Sequence, residues 1–131
     1  VKKKSLKTIK KKAWTVFSEY IRKKYATKDG YVDCVTCNRV LPWNQMQAGH
    51  FIDGRNNTVL FCETGVHPQC MRCNIFLKGN KIEYYKFMQK NFGEEMIDEL
   101  RFRAKQTKFY TTDQLEDMII LWKTAIKNWG I

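Results

Sequence analysis

The sequence predicts an α+β fold in which a small β-rich centre sits between an N-terminal basic helix and C-terminal helices. Three observations predict it. Apolar residues recur at a three-to-four spacing at both ends of the chain, short apolar runs broken by polar or glycine-containing stretches fill the middle, and two Cys-x-x-Cys pairs flank most of that middle. At 131 residues the chain has the length of one domain. Within it, 1–30 reads as a basic helix that packs on or extends the domain, 31–92 as the core, and 93–131 as a helical extension. A content of 44% hydrophobic and 14% aromatic residues excludes an intrinsically disordered chain. No run of about 18 apolar residues occurs, which excludes a helical membrane span. The opening lysines are not followed by an apolar stretch, so no secretory leader is expected and the thiols should stay reduced.

The first helix is expected from about Ser5 to Tyr25, with Leu6, Ile9, Ala13, Val16/Phe17 and Tyr20/Ile21 inward and lysines elsewhere. Lys28-Asp29-Gly30 ends it in a turn. Strands are expected at Tyr31–Val35, Met46–Ile52 and Thr58–Cys62, with residues 53–57 as the connecting loop of a hairpin. From Cys70 the pattern turns helical, with Met71, Ile75, Ile82, Tyr85 and Met88 inward and an interruption at Lys78-Gly79-Asn80. Two more helices follow, near Glu94–Lys105 and Thr112–Asn128. The latter opens with good N-cap chemistry and carries Leu115, Met118, Ile119, Trp122 and Ile126 as an apolar stripe, for the core or for a second subunit.

Charge is uneven. Of the formal +11, a net +9 falls in residues 1–30, where 11 basic side chains face 2 acidic ones. A localised cationic surface is the footprint of a polyanion binder, with nucleic acid the commonest partner, against the plainer reading of a solvated lysine-rich helix.

The two pairs, Cys34/Cys37 and Cys70/Cys73, match a closed tetrahedral four-cysteine zinc site, because a tight turn lets two sulfurs with two residues between them converge on one ion. Cys62 is left over as a core thiol. Thirty-two residues separate Cys37 from Cys70, so the knuckles hold an insert, and both histidines of the chain lie in it. Structural zinc contributes about 10–16 kcal/mol in finger peptides, against about 5–15 kcal/mol for the stability of a whole domain. Zinc is therefore expected to decide whether the centre folds.

Cys34-x-x-Cys37, Ala48-Gly49-His50-Phe51-Ile52, His67-Pro68-Gln69-Cys70-x-x-Cys73-Asn74, Gly79-Asn80 and Tyr84, together with Phe17-Ser18-Glu19-Tyr20-Ile21-Arg22, resemble the NinG (Rap) recombination proteins of lambdoid phages. The likeness runs from about residue 6 to residue 128. The knuckle–His–knuckle–Asn order is also similar to HNH nucleases and endonuclease VII resolvases, whose fold is of the ββα-metal, treble-clef type. The resemblance implies a divalent-metal-dependent endonuclease that nicks branched recombination intermediates, D-loops and Holliday junctions, in the cytoplasm of a bacterial host. It implies His50 as general base, suited by a pKa near neutrality. It implies Asn74 as a hard oxygen ligand of Mg²⁺ or Mn²⁺, and 5′-phosphate and 3′-hydroxyl products.

Two positions depart from the HNH pattern. Gly49 stands where many such sites carry a metal-binding Asp, although NinG-like chains also show Gly there. His67 is the preferred second ligand, weighed against a packing role, with Asp53 and Glu63 behind it. Gly65 stands where NinG-like chains more often carry Asn; Asn56 or Asn57 could replace that residue or be ordinary loop asparagines.

Lys7, Lys10, Lys11, Arg22, Lys23 and Lys24 are expected to track phosphate along a duplex arm, and Arg55, Arg72 and Lys78 to hold the scissile strand. Trp43 is either a base-stacking residue or core. Cutting two strands of a junction favours a homodimer, with Trp122, Ile126 and Trp129 as the expected contact. The alternative function is a non-catalytic zinc-stabilised DNA-binding module in recombination or regulation, separated from the nuclease by its having no need of His50 beside Asn74.

Overall fold

The computed structural model describes residues 4–130 and shows an α+β chain. Helix α1 spans Leu6–Lys24; the Ser5 hydroxyl caps it by accepting from the Thr8 N–H at 3.2 Å. It buries Ile9, Ala13, Phe17 and Ile21, one residue per turn along a single face. The last helix, α5 at Thr112–Trp129, opens with a capping box between Thr111 and Gln114 and closes on Gly130 at φ 67°. Its stripe of Leu115, Ile119 and Trp122 packs on the α1 stripe in a core that also takes Ala48 and Val66. Phe17 and Trp122 meet with ring centroids 4.9 Å apart, and Trp129 stacks on Tyr20 at 5.2 Å. Of the residues expected to meet a second subunit, Trp122 is buried in this core, Ile126 is half-buried and Trp129 is exposed. An apolar face is satisfied as well by the chain's own helix as by a copy of the chain.

Between these helices lie two antiparallel hairpins. Strands β1 (Tyr31–Asp33) and β2 (Val40–Pro42) pair with Val32 opposite Leu41. Strands β3 (Gln47–His50) and β4 (Val66–Gln69) pair with Gly49 opposite His67 and His50 opposite Val66. Side chains alternate between faces, so His50 and His67 leave opposite sides of this hairpin. Strand β1 stops at Asp33 because Cys34 begins the turn of the first knuckle, where Asn38 adopts φ 63°.

The strand expected at Thr58–Cys62 is instead a single helical turn, α2 (Asn57–Leu60), capped by the Asn56 side chain accepting from the Thr58 N–H at 3.1 Å. The partner of β3 is β4, so the hairpin connection is residues 51–65 rather than a short loop at 53–57.

After Cys70 the chain makes a π-helical turn over Arg72–Phe76, then α3 (Lys81–Asn91) and α4 (Glu94–Ala104). Lys78, Gly79 and Asn80 all take positive φ between them. This break resets the helical phase. Ile82, expected inward, is therefore exposed; Met71 and Ile75, also expected inward, are exposed at the π-helical turn before the break, while Tyr84 and Met88 are wholly buried against Phe51, Ile97 and Leu100. Among the described residues, no helix is long and apolar enough to cross a membrane.

His67 is wholly buried among the rings of Tyr25, Tyr84, Phe87 and Phe92, and its Nε2 lies 2.6 Å from the Thr64 carbonyl. A carbonyl only accepts, so the neutral ring carries its proton on Nε2. Burial, aided by the Lys24 charge, pushes its pKa down to about 4. The unfolded chain then binds the extra proton first as pH falls from about 6.5. Folding stability should be level above that pH and fall progressively toward pH 4, by about 3 kcal/mol if the His67 shift acts alone. Urea denaturation at pH 7.5 and 4.5 should show this loss, and His67→Phe should reduce it.

Candidate functional site

The two knuckles meet. Among the described residues, the Sγ atoms of Cys34, Cys37, Cys70 and Cys73 all lie within 4.8 Å of one another, with Cys37 and Cys70 3.7 Å apart. A tetrahedral zinc with bonds of about 2.3 Å spaces its sulfurs by about 3.8 Å, so the four residues fit a structural zinc. Cys34, Cys70 and Cys73 are buried, and Cys37 is exposed. Burial alone would raise the Cys34 thiol, but hydrogen bonds from the Thr36 hydroxyl and from nearby backbone N–H groups outweigh it and bring the pKa to about 7. Cys34 thus loses its proton ahead of Cys37 and Cys70; burial and the neighbouring thiols push Cys37 up to about 12, and burial raises Cys70. The Asn80 amide also donates toward Cys73 Sγ at 3.5 Å. Cys62 stands outside the cluster, near the Arg103 guanidinium at 3.7 Å.

Beside the cluster is an open basin of about 320 Å³, lined by Trp14, Ala48, His50, Asp53, Gly54, Arg55 and, from the far wall, Asn74, Lys78, Gly79 and Lys81. It brings together His50, from the end of β3, and Asn74, from the turn that follows the last cysteine. His50 Nε2 lies 3.1 Å from the Leu60 carbonyl at the end of α2. That nitrogen is therefore the donor, and Nδ1 keeps its lone pair. The ring stacks on Trp14 at 5.0 Å, and the Arg55 guanidinium lies 4.5 Å over the Trp14 ring. Burial lowers the His50 pKa most; the Leu60 carbonyl opposes it, and the Arg55 and Lys81 charges lower it further. Lys81 Nζ binds the carbonyls of His50 and Phe51, each at 2.8 Å, and pairs with Asp53 at 3.0 Å. The Tyr84 hydroxyl donates to Gly49 O at 2.6 Å. Together these contacts hold the end of β3 from below.

Asn74 donates its Nδ2 to Gln47 Oε1 at 2.7 Å, which leaves Oδ1 as its remaining acceptor. His67 is not part of the basin, being turned to the other face of the hairpin and enclosed by aromatic rings. Its expected role as a metal ligand gives way to packing for that reason. Glu63 pairs with Lys24 at 3.2 Å, away from the basin, whereas Asp53 lines it. Asn56 and Asn57 donate to the carbonyls of Ala104 and Gln106 and of Lys108, so both tie α2 to the end of α4 and the segment after it. A larger cavity, about 600 Å³, lies between α1 and the start of α5; its lining mixes Lys4, Lys12 and Lys123 with Asp113 and Glu116 and includes no histidine or cysteine.

The family model described as Bacteriophage Lambda NinG protein matches residues 1–130. The chain belongs to the NinG family. It is 26% identical over 119 residues to Protein ninG of Salmonella phage P22, covering 90% of this chain and 56% of that protein. It is 29% identical over 91 residues to Protein ninG of Escherichia phage lambda, covering 69% of this chain and 42% of that one. The chain thus spans about half the length of the curated relatives it matches. No solved structure matches it.

The expected cations of this NinG-family chain are placed unequally. Lys7, Lys11 and Lys24 are exposed on α1, and Lys10 is half-buried. Lys23 is buried, paired with Glu19 at 3.4 Å and set 4.4 Å over the Trp43 ring, so it does not present its charge to a strand. Arg22 is half-buried, bonded to the carbonyls of Ser18 and Trp43. Trp43 is the half-buried partner of both cations rather than an open stacking platform. Arg55 and Lys78 line the basin, and Arg72 is exposed close by in sequence. Trp14, Gln47 and Lys81 were missed as site residues. Only the lysine had a signal, its charge.

Removing zinc with a strong chelator should unfold the centre, seen as loss of the cooperative melt together with the bound metal. An unchanged melting temperature in metal-free protein would contradict this. In NMR titrations His50 should protonate below the ordinary histidine value near 6.5, and Arg55→Ala should move its midpoint upward by removing a charge that opposes protonation.

Proposed function

We propose that this NinG-family chain is a metal-dependent, structure-specific DNA endonuclease that nicks branched recombination intermediates such as D-loops and Holliday junctions. The observation that carries the reading is one basin containing a half-buried imidazole with a free Nδ1, a carboxamide oxygen and three cationic side chains. A zinc module that only binds DNA needs the cations but not an imidazole held by a carbonyl and kept neutral.

In this reading His50 Nδ1 takes a proton from water as the water oxygen attacks phosphorus. The bond from phosphorus to the 3′ oxygen breaks, leaving a 5′-phosphate and, once that oxygen is protonated, a 3′-hydroxyl. Arg55 and Lys78 hold the non-bridging oxygens and offset their charge. Asn74 Oδ1 is the acceptor that would hold a Mg²⁺ or Mn²⁺ ion, which would supply stabilisation of the negative charge that develops on phosphoryl transfer. Lys7, Lys11 and Arg72 add contacts to the backbone that set position and not sequence, so selectivity rests on DNA shape. Two such sites would cut two of the four strands of a junction, which supports a homodimer on the DNA; of its expected contact, Trp122 is taken by α1, while Trp129 stays exposed.

The test is a nicking assay on linear, flapped and four-way DNA with Mg²⁺ or Mn²⁺. His50→Ala should lower nicking at least 100-fold, in the range that general-base catalysis contributes, with zinc content and DNA affinity retained. Equal nicking by both proteins would remove His50 from the mechanism, and DNA binding without nicking by wild type would leave the binding module as the function.

A further inference from the structure

We infer that the side chain of Gln69 is an oxygen ligand for the divalent ion of this basin, occupying the space that a side chain at residue 49 would fill. The inference rests on the endonuclease reading and adds the ligand that Gly49 does not provide.

Gln69 is wholly buried at the end of β4. Its Nε2 donates to the Gly79 carbonyl at 2.9 Å and to Thr36 Oγ1 at 3.1 Å. A carbonyl cannot donate, so the contact with Gly79 fixes which end of the amide is nitrogen. The other end, Oε1, is buried and has no hydrogen-bond donor. A buried acceptor left without a donor destabilises the fold unless something else satisfies it.

The direction of that oxygen is informative. A carbon built on Gly49 would overlap Gln69 Oε1 and lie 3.0 Å from Asn74 Oδ1. Two carboxamide oxygens therefore converge on the vacant side-chain space of residue 49, next to Asn74 and Gly79 of the basin wall. Asn74 has its amide nitrogen committed to Gln47, so it too presents its acceptor. Lys81, the nearby cation of the wall, is engaged by two backbone carbonyls and Asp53. Acceptors facing one another without a donor repel; a small hard cation between them turns the repulsion into ligation. Neutral carboxamide oxygens suit Mg²⁺ or Mn²⁺, which keep several waters and take the rest of their shell from phosphate oxygens. Gln69 is also rigidly held: Thr36, which receives one of its hydrogen bonds, in turn contacts Cys34 Sγ at 3.3 Å. The ligand is thereby positioned by the sulfur cluster. The same arrangement accounts for glycine at 49, since any side chain there would displace the glutamine.

The test is Mn²⁺ titration of the zinc-loaded protein, with free Mn²⁺ read by its paramagnetic resonance signal and zinc content measured in parallel. Wild type should bind one Mn²⁺ per chain. Gln69→Met, similar in length but without the oxygen, should weaken binding at least tenfold, as should Asn74→Ala. Should Gln69→Met not fold, Gln69→Glu serves: it keeps the shape, adds a charge, and should tighten Mn²⁺ at least tenfold. Wild-type affinity in Gln69→Met, or no tightening in Gln69→Glu, overturns the inference. If those results come with His50-dependent nicking, the endonuclease reading stands and Gln69 alone is wrong. A wild-type chain that binds no Mn²⁺ and nicks no DNA overturns both.

Discussion

The convergence of four sulfurs is the constraint on which the rest of the centre depends. Each hairpin has only two short strands, and an isolated two-stranded hairpin is marginal in water. The apolar residues around the cluster are few: Val32 and Met46 are buried with the cysteines, and Leu41 and Trp43 pack on them in part. Joining the turn after β1 to the turn after β4 closes a loop that contains β2, β3 and α2. One ion holding both turns therefore removes much of the disorder that this small apolar cluster could not overcome. The cluster is also tied to the basin wall by hydrogen bonds: Thr36 contacts Cys34 and receives Gln69 Nε2, which donates as well to the Gly79 carbonyl. The geometry of the sulfurs is thus passed on to the wall.

The outer helices do a different job. Stripes on α1 and α5 enclose Phe61 and the buried face of β3 and β4, so His50 stands at the edge of a packed aromatic core. Trp14 belongs to α1 yet forms one side of the imidazole slot. A helix that looks from its lysines like a separate cationic arm is in this way part of the wall of the basin. Its charges divide accordingly: those toward its start face solvent, while Arg22 and Lys23 near its end are spent on Trp43.

What could be read in the sequence follows the range of the interactions involved. Helices α1 and α5 are legible because a stripe and a cap are local patterns, and the cysteine cluster because two knuckles have a fixed spacing. The short middle elements are not. Residues 58–62 are apolar enough to suggest a strand, but Asn56 caps a helical turn there, and its amide is bound to the distant carbonyls of Ala104 and Gln106. Strand β4 contains Pro68, which argues against a strand; it is tolerated because in a two-stranded sheet every strand is an edge. His50 and Asn74 stand out through motif order. Gln69 does not, because its importance lies in an oxygen aimed at the missing side chain of a residue on the neighbouring strand.

If the basin is the nuclease site proposed above, its electrostatics reconcile two demands that pull in opposite directions. A phosphate needs positive charge nearby, while a general base has to give up its own. Arg55 and Lys81 meet both, since cations that attract a phosphodiester also disfavour protonation of His50. Their arrangement limits the conflict further. Lys81 is turned onto the carbonyls of His50 and Phe51 and onto Asp53, so part of its charge serves to hold the strand that carries the base. Arg55 is held 4.5 Å over the Trp14 ring, which also stacks on the imidazole, so one indole positions both the guanidinium and the base. Asp53 acts the other way, raising the His50 pKa while partly neutralising Lys81. A fully cationic basin would bind DNA more tightly but would hold its products as firmly as its substrate; one carboxylate among three cations moderates that grip.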